Sequence, residues 1–411
     1  MQKLKFLSCL VVIACGSLMF GQARSHSARL KAYTAVLPAG AGTPANVKAM
    51  AASSTLPVFT YNVTSTRDGN SYTGVMVASN PFNGGDGQTS VTTQVIPLVI
   101  VTHKVGNSIV LTSSKFLVTD IVGGQTVFDP TAADNSGCLT APNNVPLALA
   151  QQSPIFQSAS FTFGGTFVGN TQYIDAFQRA NFFQQIGPDY HATLGPVNTL
   201  SPIVVDIPAG TGLAIAPSAF GTACPLGVVN INNFSNLLTN QLLPALRSQG
   251  VNSSTFPIFL MYNVVMSIGR PTDLNKCCVL GFHGAKSYGV SRPIQTFSPL
   301  DFDTTGLFGP SVRDTSIMAH EVGEWQDDPF GNNPTPAWGH TGQVGGCQGN
   351  LEVGDPLTGT NIPPVTMPNG FTHHLQELAF FSWFYGAPPI GVNNWFSDNG
   401  TFATDAGPVC H

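Results

Sequence analysis

From Leu56 onward the chain alternates apolar and polar residues in short runs separated by turn residues. PVFTYNVTSTRDGNSYTGVMVASNPFN carries a Val/Thr/Tyr/Phe alternation broken at Asp68-Gly69, which predicts a β-hairpin. Strand-like runs continue over 91–102, 108–112, 125–128 and 158–168, so residues 56–170 read as an antiparallel β-rich domain. His103, closing one apolar run, reads as structural. Beyond 170 the period changes. YIDAFQRANFFQQ (173–185) predicts a short helix with an aromatic core stripe, and 203–207 a strand. The Leu-rich stretch 234–250 predicts a helix stopped by Gly250. PIFLMYNVVM (257–266) is a continuous apolar run, hence one strand buried on both faces, and 279–283 is another. FTHHLQELAFFSWFY (371–385) predicts a last apolar helix. The expected class is α+β: a β-rich domain followed by an α/β domain over 171–411.

The run RDTSIMAHEVGEWQDDP (313–329) has the richest chemistry. Asp314 is placed to cap a helix and Pro329 to end it. At about 100° per residue, Ile317, His320, Glu321, Glu324 and Asp328 share one face, while Met318, Ala319, Val322 and Trp325 form an apolar one. Two ligands four apart on a helix can hold one zinc ion, and the glutamate after the first is placed as a general base. Here His320 and Glu324 are the ligand pair, Glu321 the base, and a carboxylate is an acceptable zinc ligand. The bland alternative is a solvated charged face. Third-ligand candidates are Glu352, His340, Asp355, and His373 or His374 with Glu377.

Composition sharpens this reading. Only 9% of residues are charged, so three ionisable groups beside a tryptophan are not background. Sixteen basic against twenty-one acidic residues leave no electrostatic footprint for nucleic acid. Residues 1–23 read as an export signal, with Lys3 and Lys5 before an apolar run and Gly21-Gln22-Ala23 as the cleavage site. A lipoprotein cleavage at Cys15 is the minor alternative, and no later segment is long and apolar enough for a transmembrane span. Residues 24–55 read as a flexible leader. Six cysteines remain after the signal (Cys138, Cys224, Cys277, Cys278, Cys347 and Cys410), an even number that predicts three disulfides in an oxidising compartment. One at Cys347 would brace the loop that carries Glu352.

His320-Glu321-x-x-Glu324, Asp328-Pro329, Ala337-Trp338 and Glu352-Val353-Gly354-Asp355 together resemble a family of secreted bacterial zincin-like metalloproteases, distantly similar to the plant EXORDIUM (phosphate-induced) proteins. The resemblance covers about a fifth of the chain. It implies a zincin-like domain with an active-site helix and a protein or peptide substrate. It also implies Glu352 as the third ligand, with Asp355 and Asp328 orienting the ligands. Two carboxylates and one imidazole would neutralise Zn²⁺ and acidify its water less than neutral ligands do. That leaves Ca²⁺, with oxygens from Asp327, Asp328, Glu324, Glu352 and Asp355, and a non-catalytic extracellular binding protein as the alternative. A serine hydrolase is not supported, because no Gly-x-Ser-x-Gly elbow occurs.

Overall fold

The computed structural model describes residues 30, 33–37, 42–103, 110–111, 117–118, 124–219, 221–289, 293–342, 346–408 and 410. The expected export signal, with Cys15, lies outside the described residues. Long β-branched and aromatic runs build a mixed sheet in the centre of the chain. Its spatial order is His191–Thr199, Gln88–His103, Phe256–Tyr262, Gln295–Phe302, Cys277–Lys286, Val264–Ser267, Leu226–Asn230 and Gly212–Ile215. The first four strands run parallel, and Cys277–Lys286 is antiparallel to Gln295–Phe302. The class is α+β, and the sheet takes strands from both sides of residue 170.

Period-two alternation decides the layers. Along Phe256–Tyr262, Ile258 and Leu260 face one core with Ile317, Met318 and Val322. Phe259 and Met261 face the other, with Phe234, Leu238, Leu243 and Leu246 from the 231–249 helical segment. Each such side chain stabilises by about 1.5–3 kcal/mol on burial, so a sheet covered on both sides is a rigid floor for whatever lies on it.

Several elements depart from the sequence reading. The apolar run 257–266 is two strands, because Asn263 turns through a left-handed conformation (φ 54°) and is buried. Asparagine tolerates that region, and here it exchanges hydrogen bonds with Thr304, accepting from the backbone N–H at 2.7 Å and donating to the hydroxyl at 3.0 Å. Within residues 24–55, Pro44–Ser53 is a helix capped by Thr43, with Val47 and Met50 buried near Val75 and Phe330. The last predicted helix shrinks to Phe381–Tyr385, preceded by the two-residue strand Thr372–His373. The buried side chains of His373, Gln376 and Glu377 are bonded at separate places that a regular helix would not reach together.

All six cysteines pair, as Cys138–Cys224, Cys277–Cys278 and Cys347–Cys410. The third bond ties the segment before Glu352 to Cys410. Among the described residues no helix is long and apolar enough to cross a membrane.

Asp327, at the end of the helix Ser316–Asp327, accepts hydrogen bonds from Gln178 and, at 3.2 Å, from Asn181 of the neighbouring helix Tyr173–Asn181. Burial, and then the charge of Asp328, pushes its carboxyl up to about 8. The unfolded chain releases this proton near pH 4 while the folded chain keeps it, so stability falls as pH rises from about 4 to 8. Asp327→Asn should flatten that fall by at least about 1.4 kcal/mol, the worth of one pKa unit. Urea denaturation of both proteins at pH 5 and pH 8 measures it.

Candidate metal centre

The helix Ser316–Asp327 has no exposed residue. On its apolar side Trp325 stacks on Phe256 with ring centroids 3.8 Å apart. On its polar side the segments carrying Gly354, Gln376 and Leu378 roof it over. Asp314 does not cap the helix in the usual way. It adopts φ 41° and accepts hydrogen bonds from the N–H groups of Thr315 at 2.6 Å and His374 at 2.9 Å.

Glycine lets both floor and roof close on the polar face. A Cβ on Gly281, in the strand Cys277–Lys286, would stand 3.0 Å from the Glu321 Cγ and 2.9 Å from Ile317. A Cβ on Gly354 would stand 2.6 Å from the His320 ring. The Glu-x-Gly-Asp element therefore lies directly on the imidazole, and the N–H groups of Gly354 and Asp355 donate to Glu324 Oε1 at 3.2 and 3.1 Å.

The orientation of His320 follows from a fixed amide. Gln376 donates its Nε2 to the Gly354 carbonyl at 2.6 Å, so its Oε1 faces His320 Nδ1 at 3.0 Å and must accept. Nδ1 therefore carries a proton. His320 Nε2 is left facing Glu324 Oε1 at 3.0 Å and Asp355 Oδ1 at 3.4 Å. A metal-ligating histidine is commonly held this way, through its other nitrogen.

His283 was not singled out by the sequence. It projects from the same sheet face as Gly281, two residues on. Its Nε2 is 3.0 Å from the Asp328 carbonyl, which can only accept, so Nε2 carries a proton. Nδ1 faces Glu321 Oε2 at 3.4 Å and Glu324 Oε2 at 3.6 Å. Glu352 Oε2 lies 3.8 Å from the ring Nε2, and its Oε1 accepts from Asn350 at 2.5 Å. Histidines within apolar strands are usually packed core residues, so sequence offers no mark that separates this one.

Two donor triads result, His320–Glu324–Asp355 and His283–Glu324–Glu352, each offering three atoms within 4.8 Å of one another. Their members are 0–2% exposed. The triads bring together His320 and Glu324 as expected, place Asp355 among the donors, and group Glu352 with His283. The other candidates are engaged elsewhere. Asp328 accepts from Asn332 and Asn333 N–H at 2.9 and 2.8 Å and closes the helix end. His340 donates to the Asp355 carbonyl at 2.9 Å. His373 lies 3.3 Å from the Thr315 hydroxyl, His374 pairs with Asp314 at 2.7 Å, and Glu377 is bound by Ser397 and Thr401, both at 2.6 Å.

The electrostatics are those of carboxylates deprived of water. Burial, and next the Glu324 charge, drives the Glu352 carboxyl well above its usual range. Burial raises Glu321 to about 7, partly opposed by His283. Burial works to raise Glu324 too, but the neighbouring His320 and His283 outweigh it and hold the group well below the usual range. For His283 burial works downward, and hydrogen bonding to Glu321 and Glu324 overcomes it to reach about 10. Metal-free, the centre therefore holds extra protons, which a cation would displace.

No family model matches the chain, and no curated protein or solved structure is significantly similar to it.

Gly354 has φ −85° and ψ −38°, a conformation open to alanine, so Gly354→Ala tests only the added methyl group against the His320 ring. Overpacking of this kind costs about 1–3 kcal/mol. The variant should fold with reduced thermal stability and weakened metal binding, read by calorimetry and by metal titration.

Proposed function

We propose that the protein is a metal-dependent hydrolase acting outside the cell on peptide or protein substrates, on a zincin-like scaffold. One observation carries the reading. Glu321 Oε1 and Glu352 Oε2 are buried without a hydrogen-bond partner, each on a side chain whose other oxygen is held, and His320 Nε2 faces only carboxylate oxygens. Leaving such atoms unpaired costs about 1–3 kcal/mol apiece, a cost that a bound cation removes. Two donors about 2.0–2.1 Å from one tetrahedral ion stand roughly 3.3 Å apart, and the His320 contacts of 3.0 and 3.4 Å fit that spacing. Two imidazoles among the donors suit zinc better than calcium, which takes six to eight oxygens. Asp327 and Asp328, needed for an oxygen cage, are engaged elsewhere. The three disulfides support an oxidising, extracellular setting.

His320, Glu324 and a third carboxylate would hold the ion, which when bound polarises a carbonyl and makes its water more acidic. Glu321, titrating near 7, is suited to take a proton at neutral pH, and His283 holds its Oε2 in place. Glu352 and Asp355 fix the far side of the donor set.

A second reading, a non-catalytic extracellular protein stabilised by its metal, is favoured by one specific observation. The donors are 0–2% exposed, and the surface clefts around Asn233–Leu237, Tyr262 and Tyr288 include none of them.

Glu321→Gln separates the two. In a hydrolase the variant keeps its fold and its metal but loses turnover by ~10²–10⁴-fold, measured as chelator-sensitive cleavage of an unfolded protein or a peptide library. If the wild type shows no such cleavage and chelation only lowers its melting temperature, the stabilised-scaffold reading replaces the enzymatic one.

A further inference from the structure

We infer that the centre is built for two cations bridged by Glu324, an inference that rests on the metal-binding half of the proposed function and extends it. The two histidines are arranged alike around this one carboxylate. Each imidazole gives its proton-bearing nitrogen to a carbonyl oxygen, that of Gln376 for His320 and that of Asp328 for His283. Each then turns its other nitrogen toward Glu324, His320 Nε2 to Oε1 at 3.0 Å and His283 Nδ1 to Oε2 at 3.6 Å, with Glu321 Oε2 also beside Nδ1 at 3.4 Å. A lone pair aimed at a carboxylate oxygen is repulsive unless a proton or a metal ion lies between them. A carboxylate with a ligand nitrogen beside each oxygen is the arrangement of a bridging ligand.

Asp355 Oδ1 lies 3.4 Å from His320 Nε2, and Glu352 joins His283 and Glu324 in the second triad, its Oε2 3.8 Å from the His283 Nε2. The unpartnered Glu352 Oε2, on a side chain 1% exposed, is the independent sign that the second half also awaits a ligand. Charge supports two ions over one. Once cations displace the extra protons, Glu321, Glu324, Glu352 and Asp355 beside two neutral imidazoles would carry four negative charges, which two divalent cations balance. The leading electrostatic influences on Glu321, Glu324 and Glu352 come from the two histidines and from one another's carboxylates. Paired divalent ions sharing a ligand lie about 3.5–4 Å apart in two-metal hydrolytic sites, a separation that the two oxygens of one carboxylate can span.

The test is metal stoichiometry, which needs no activity. Full-length protein is loaded with Zn²⁺, dialysed and analysed for metal and protein, and a Mn²⁺-loaded sample is examined by electron paramagnetic resonance. Two ions per chain and an exchange-coupled Mn²⁺ spectrum are expected. His283→Ala should retain one ion and show an uncoupled spectrum, and His283→Gln serves if the alanine variant fails to fold. One ion per wild-type chain, unchanged by substitution of His283, overturns the two-ion inference and leaves a single-metal centre standing. No bound metal in folded wild-type protein overturns the metal centre itself.

Discussion

The structure depends on keeping a group of carboxylates out of water in a chain that has few charges to spend. Glu321, Glu324 and Glu352 lie on or against a helix with no exposed residue, where an unpaired charge costs several kcal/mol. The carboxylates raise that cost for one another, and other neighbours lower it. Backbone N–H groups of Gly354 and Asp355 hold Glu324, and two histidines stand against its oxygens. The apolar core supplies the rigid floor. Strands buried on both faces cannot tilt to admit solvent, and Gly281 lets the helix settle close enough for Glu321 to reach His283.

The roof obeys the same constraint from above. Gly354 has no side chain to hold it off His320, and Gln376 reads the orientation of both the Gly354 carbonyl and the imidazole. These residues do not contribute donors to either triad, yet they decide which nitrogen of His320 is available. A conserved-looking string of ligands would say nothing of this. Tautomer choice is made by the neighbours, and it determines whether the ring can bind a cation at all.

Sequence patterning made the strongly periodic parts legible. The hairpin around Asp68-Gly69, the long strand 88–103 and the helix bearing His320 all stand close to where apolar spacing placed them. What it missed follows from physics that spacing does not encode. Asn263 splits an apolar run because one buried side chain can replace the strand's own hydrogen bonds. The stretch from 371 to 380 is apolar enough for a helix, but its polar members are drawn to Asp314, His320 and Ser397, three different sites. At the centre, His320, Glu324, Glu352 and Asp355 were readable because they sit in short motifs. His283 was not, because its role arises from strand register against a helix some forty residues later.

The disulfide between Cys347 and Cys410 gives the centre a place in time as well as in space. Its two cysteines are 63 residues apart. Between them lie Glu352, Gly354, Asp355 and Gln376. A chain emerging from the ribosome carries His283, His320 and Glu324 well before it carries the residues that orient and enclose them. The segment that orients the donors is thus the last part of the site to be made, and one covalent bond closes it.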